Sequence, residues 1–176
     1  MALFFEQFPK LAYDISGNKN FKLVTDIFRR IKIRSNIADN VSLYSTYDVP
    51  SGETPETTSF KHFGTTDYHW IILMTNNITD RYYGWPLNEQ DFEAYVVEKY
   101  DNPGAVHHYE ITQSSGPTSS LDNSHVIEVN STTSGAQAVS NYTYERRLQD
   151  NKSLIKVLKR EYLSQFVEEF AKLVRS

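Results

Sequence analysis

The chain has 176 residues, a formal net charge of −4 and no cysteine, so it can bury a core of its own, while disulfides, thiolate zinc sites and cysteine nucleophiles are excluded. The acidic balance argues against a general nucleic-acid binder, which needs a basic excess to release counterions. No apolar run approaches membrane-spanning length.

Residues 1–20 read as an extended arm. Phe4, Phe5, Phe8, Leu11, Tyr13 and Ile15 are apolar anchors, and Pro9, Gly17 and Asn18 are breakers. Glu6 interrupts the first apolar stretch and no basic segment precedes it, so a secretory leader is not expected. Such an arm either closes over its own domain or reaches a neighbouring subunit; on the second reading, deleting residues 1–8 spares the fold. Residues 22–34 hold Ile27, Phe28, Ile31 and Ile33 among Lys22, Arg29, Arg30, Lys32 and Arg34, the strongest basic cluster in the chain. They predict a short amphipathic helix or strand, with a solvated basic face or an acidic protein partner.

Val41, Leu43, Tyr47 and Val49 keep one parity and predict a strand with one buried face, ended by Pro50 and Gly52. Thr54 is placed to cap a helix, Pro55 suits the first helical position, and Gly64 suits a left-handed terminator. Thr65 caps the next helix, whose segment 70–74 is apolar on nearly every side and is ended by Asn76 and Asn77. Trp70 and Leu73 are therefore expected in the core. Tyr82, Tyr83, Gly84 and Trp85 follow, as a plug for the local core or an aromatic knob for a partner pocket.

Asn88 caps a predicted helix reaching Tyr100, with Phe92, Tyr95 and Val96 inward, and Asp101-Asn102-Pro103-Gly104 stops it. Residues 112–143 are rich in Ser, Thr, Asn, Gly and Pro around strand-like islands at 105–112 and 125–129, which predicts a long hairpin or loose β-lobe, with part of it open to disorder. A short apolar strand at 154–158 precedes a final helix at 161–175 with Tyr162 or Leu163, Phe166, Val167, Phe170, Leu173 and Val174 on one face.

No chemistry-bearing constellation emerges. His107 and His108 are adjacent and would point to opposite sides of a strand, His62 and His69 lie on different predicted helices, and His125 is isolated, so no metal site is expected. Glu53, Glu56 and Asp67 fall at helix starts, where capping and dipole roles account for them, and there is no nucleophile elbow or phosphate loop. Catalytic residues, cofactors and a small-molecule substrate are not expected.

The order of strand, Ser51-Gly52-Glu53-Thr54 turn, helix, Phe63-Gly64 and second helix with Trp70, Ile71, Leu73 and Asn76 resembles the LysM module. It departs from LysM where a second strand should close the fold, because Asp80-Arg81-Tyr82-Tyr83-Gly84-Trp85 stands there. Together with Val24-Thr25-Asp26-Ile27-Phe28-Arg29-Arg30 upstream and Tyr162-Leu163-Ser164-Gln165-Phe166 near the end, the chain resembles the baseplate wedge family encoded by gene 53 in T-even-like contractile-tailed phages.

The resulting expectation is an α+β fold with a LysM-like strand-helix-helix core, further helices and a β-rich lobe. Its regions are 1–40 (arm and basic segment), 41–104 (core and following helix), 105–145 (lobe) and 146–176 (C-terminal strand and helix on the core). Gly52, Thr54, Gly64, Trp70, Leu73 and Asn76 are its structural turn and core residues, and Phe4, Phe5, Tyr82, Tyr83 and Trp85 its candidate interface. The resemblance implies a non-enzymatic virion component, assembled in the host cytoplasm, contacting other wedge proteins and neighbouring wedges around a sixfold ring, with neither nucleic acid nor membrane as partner. The LysM likeness alone implies a different function, binding of peptidoglycan or chitin.

Overall fold

The computed structural model describes residues 4–29, 31–112 and 125–175 and is an α+β fold. After a 3-10 turn at Phe4–Gln7 come β1 (Lys10–Tyr13), β2 (Lys22–Thr25), α1 (Ser35–Ala38), β3 (Tyr44–Asp48) and α2 (Pro55–Phe63). They are followed by α3 (His69–Thr75), α4 (Arg81–Gly84), α5 (Glu89–Lys99), β4 (Val106–Thr112), β5 (Val126–Val129) and β6 (Gln137–Ser140). The chain continues through α6 (Asn141–Ser153), β7 (Leu154–Leu158) and α7 (Leu163–Arg175). Three antiparallel sheets result: β1-β2, β3-β7, and β5-β4-β6.

Two compact units share these elements: one comprises Met1–Trp85 with Ser153–Ser176, the other Pro86–Lys152. This differs from the expected division at 40, 104 and 145. The helix expected to extend the core, α5, belongs to the second unit. The lobe does not end at a β-strand either, since β6 runs directly into α6.

In the first unit, α2 starts where Thr54 accepts the Thr57 N–H and Pro55 occupies the opening turn, and it ends at Gly64 with φ 79°, whose N–H closes on the Phe60 carbonyl. Gly52 takes φ 80° in the turn before it. Thr65 receives the Asp67 N–H, and α3 follows with Trp70, Ile71 and Ile72 buried and Leu73 partly so. The strand is shorter than its apolar parity suggests. Val41 lies exposed in a 3-10 turn, and pairing begins at Tyr44.

The strand that pairs with β3 comes from the far end of the chain: Tyr44 faces Leu158 and Asp48 faces Leu154. Asn76 fastens α3 to this strand with its carboxamide. Its Oδ1 accepts the Lys156 N–H at 2.8 Å, and its Nδ2 donates to the Lys156 carbonyl at 2.8 Å. An Asn side chain thus imitates one residue of a third strand, satisfying both backbone groups of Lys156 that face away from β3.

The N-terminal arm is part of this core. Phe8 is buried, and the Phe4 ring lies 5.3 Å from Trp70 and 5.6 Å from Phe170. Phe4, expected at the interface, is partly buried, and its ring packs with Phe8 in the space between α3 and α7. Phe5 remains exposed, edge-on to Phe4. Residues 1–3 of the expected arm lie outside the described residues.

In the second unit, Asn88 caps α5 by accepting the Asp91 N–H, and Phe92 and Val96 are buried. The partner helix α6 has almost no apolar stripe; it turns Glu145 and Gln149 inward. Glu145 accepts from Lys99 at 2.8 Å and Tyr100 at 2.7 Å, while Gln149 accepts the Leu87 N–H at 3.1 Å. Arg147 makes a two-pronged pair with Glu110 on β4 at 2.7 and 2.8 Å, the geometry that suits a planar guanidinium. Arg146 pairs with Glu89 and lies 4.4 Å from the Phe92 ring centre. Charge pairs therefore hold α6 in place. The part of the expected lobe at 113–124 lies outside the described residues.

Candidate interaction surface

The turn after α3 is built to hold a short helix rigidly. Asp80 accepts the N–H groups of Tyr82 and Tyr83, opening α4, and Arg81 pairs with Glu56 on α2 at 2.7 Å. Gly84 packs on Ile78 so closely that a Cβ there would fall 2.8 Å from Cγ2. At the end of this turn Trp85 is only 6% exposed, and its indole N–H donates to the Glu53 carbonyl at 2.7 Å.

Trp85 is thus an anchor in the core, which corrects its assignment to the interface. A ring with its single donor satisfied inside its own unit has little left to offer a partner. The anchor leaves the two tyrosines outward, Tyr82 80% and Tyr83 75% exposed.

Glu53 holds the other end of this arrangement. Its carboxylate accepts from the Tyr47 and Thr58 hydroxyls at 3.0 and 2.8 Å and from the Lys61 ammonium. Burial pushes its pKa up, but the bonds from Lys61, Thr58 and Tyr47 outweigh burial and hold the group below its ordinary 4.5. The glutamate of the Ser51-Gly52-Glu53-Thr54 turn is accordingly structural, joining β3 to α2.

Glu145 follows the same logic in the second unit, with burial opposed and outweighed by Lys99 and Tyr100, while at Glu110 the Arg147 guanidinium is the leading cause of the lowered pKa. A depressed carboxylate contributes stability that is complete above its unfolded value and lost as pH falls through the folded one. Both units should therefore loosen on acidification below the ordinary carboxylate value of 4.5. Glu145→Gln is expected to cost about 1–3 kcal/mol at neutral pH, tempered because Lys99 is solvent-screened. It should also flatten the acid side of the second unit's stability profile, followed by circular dichroism in urea. An unchanged profile would remove Glu145 from this role.

A second exposed apolar feature is the β1-β2 hairpin, where Phe21, Leu23, Ile27 and Phe28 all face solvent. Asp14 shapes its loop by accepting the N–H groups of Ser16 and Lys19, with Gly17 and Lys19 both at φ 67°. Sequence reasoning registered Gly17 and Asn18 as breakers but missed the hairpin, because strands of four residues carry little periodic signal.

The histidines depart from expectation. A register shift between Val106 and His108 brings the His107 and His108 Nδ1 atoms to 2.9 Å, with His107 stacked on Tyr144. A β-bulge of this kind turns neighbouring side chains toward one side. No group of three or more His, Cys, Asp or Glu side chains able to hold a metal ion occurs among the described residues. No described helix is long and apolar enough to cross a membrane.

The α+β fold thus uses Glu53, Asn76, Glu110, Glu145 and Gln149 to bind groups of its own chain and leaves Tyr82 and Tyr83 outward. The family model described as Base plate wedge protein 53 matches residues 1–119. The chain belongs to that family. It is also similar to the "Baseplate wedge protein gp53" of Enterobacteria phage T4, with 29% identity over 101 residues, 57% of this chain and 52% of that protein. The chain thus spans about half the length of the curated relative it matches.

Proposed function

We propose that this chain is a non-enzymatic structural component of a contractile-tail baseplate wedge, contacting other wedge proteins and joining neighbouring wedges around a sixfold ring after assembly in the host cytoplasm. The observation that carries this reading is the family match over residues 1–119. Supporting it, Tyr82 and Tyr83 stand outward on a helix fixed by Asp80, Arg81 and the Trp85 anchor. Rigid aromatic groups contribute large contact area with little entropy left to lose, which is why such residues dominate interface hot spots. We assign Tyr82, Tyr83 and Phe5 to the contact surface. The order β3-α2-α3 closed by β7 is, on this reading, a LysM-type arrangement interrupted by the second unit.

The test is co-expression with the other baseplate wedge proteins of the same phage, followed by size exclusion. The double substitution Tyr82→Ala/Tyr83→Ala should leave the melting of the isolated chain unchanged, because both rings are exposed. It should lower incorporation by about tenfold or more if the pair is a hot spot. Full incorporation of the variant would remove the tyrosines from the interface. Saturable binding of peptidoglycan or chitin oligomers in calorimetry would instead favour a glycan-binding role.

A further inference from the structure

The β1-β2 hairpin is a two-stranded sheet with no third strand among the described residues, and such a ribbon is marginal by itself. It nonetheless carries apolar groups that lie largely exposed. Leu23 is 74% and Phe28 91% exposed, and Tyr13 and Phe21 are exposed as well. Opposed residues share a face, so Ala12 and Leu23 lie on one side and Tyr13 and Lys22 on the other. Leu11 and Val24 on the Tyr13 side are partly buried, so unused adhesive capacity lies chiefly with Leu23 and with the outer edges, which no described strand pairs.

Charge selects the occupant. The hairpin, residues 10–25, holds three basic side chains and one acidic, net +2 in a chain of net −4, and residues 26–34 add four basic side chains against Asp26. Lys10, Lys19 and Lys22 enter no ion pair among the described residues. A second copy would bring the same positive hairpin against this one and be repelled. An unpaired strand edge offers backbone N–H and C=O groups in an alternating row that only another strand can match.

Resting on the structural reading above, we propose that the β1-β2 hairpin is a docking ribbon that accepts an acidic, apolar β-strand from another virion protein by edge addition. The strand adds along the outer edge of β2, where Leu23 on one face, with Phe28 just past the strand's end, covers its apolar side chains and Lys22 on the opposite face meets its carboxylates. The lysines also keep the edge from pairing with like-charged copies before the partner arrives.

The test uses the full chain and two labelled peptides of equal length, one alternating Val with Glu and the other Val with Lys, read by fluorescence anisotropy. The Glu peptide should bind saturably, weaken with salt, and exceed the Lys peptide by about tenfold or more in affinity. Hydrogen exchange should slow at residues 22–25 when it binds. Leu23→Ser/Phe28→Ser should abolish this binding, while Val97→Ser, an exposed position in the other unit, should not. Equal binding of the two peptides, protection confined elsewhere, or tighter binding of an oligothymidine of matched charge would overturn the proposal. In the co-expression assay, a wild-type chain that fails to incorporate would count against the baseplate role, and the peptides would still decide the hairpin. A wild type and hairpin variant that incorporate equally would reject docking at the hairpin while leaving that role standing.

Discussion

Trp70→Ala is expected to destabilise the first unit by about 3–5 kcal/mol, enough to leave a small domain marginal. The ring is buried 4.5 Å from Phe170 and 5.3 Å from Phe4, so its removal opens a cavity shared by the N-terminal turn, α3 and α7. The measurement is convenient because both tryptophans belong to this unit, and Trp85 remains as the reporter. Urea unfolding followed by its emission should shift to a lower midpoint, while circular dichroism from the second unit's α5 and α6 persists. A variant of unchanged midpoint would mean that the ring does not support this core.

Phe8→Ala should have an effect of similar size, about 3–5 kcal/mol on the same unit. Phe8 is buried with its ring 5.0 Å from Phe4 and 6.3 Å from Phe170, and the Arg175 guanidinium donates to the neighbouring Gln7 carbonyl. The comparison that matters is with Phe5→Ala, an exposed neighbour that should cost far less. If both substitutions left the midpoint in place and only assembly suffered, the arm would be a contact for other subunits and its packing here would carry no weight.

The parts of the fold legible in the sequence are those fixed by local chemistry. Thr54, Pro55 and Gly64 bracket α2 at its observed bounds, and Asn88 starts α5, because caps and left-handed terminators act within one turn of the residue that supplies them. What escaped depends on distant partners. The pairing of β3 with β7 leaves no mark near either strand, and the indole of Trp85 finds its acceptor in the Glu53 carbonyl, 32 residues back in the chain. Helix α6 escaped for another reason. Its inward residues are Glu145 and Gln149, so an apolar period was never written into it, and only the placement of Lys99 and Tyr100 makes those polar groups suitable for burial.

The candidate surface divides in the same way. That Tyr82 and Tyr83 stand outward while Trp85 turns inward follows from the Asp80 cap and the close packing of Gly84 on Ile78. Neither contact can be inferred from an aromatic run. The hairpin was hidden because a basic, apolar stretch of this length is equally compatible with a helix, and the choice was made by Asp14 gathering the loop amides.

The closure of β3 by β7 also bears on synthesis. On the ribosome, Tyr44 emerges long before Leu158, and the entire second unit is made between them. Until then β3 lacks its ladder, Asn76 lacks Lys156, and the rings of Phe4 and Trp70 lack Phe170. Contacts this far apart in sequence form late, after the entropy of the intervening loop has been overcome. A nascent or truncated chain that stops before α7 cannot complete the first unit, even though the second can already be whole.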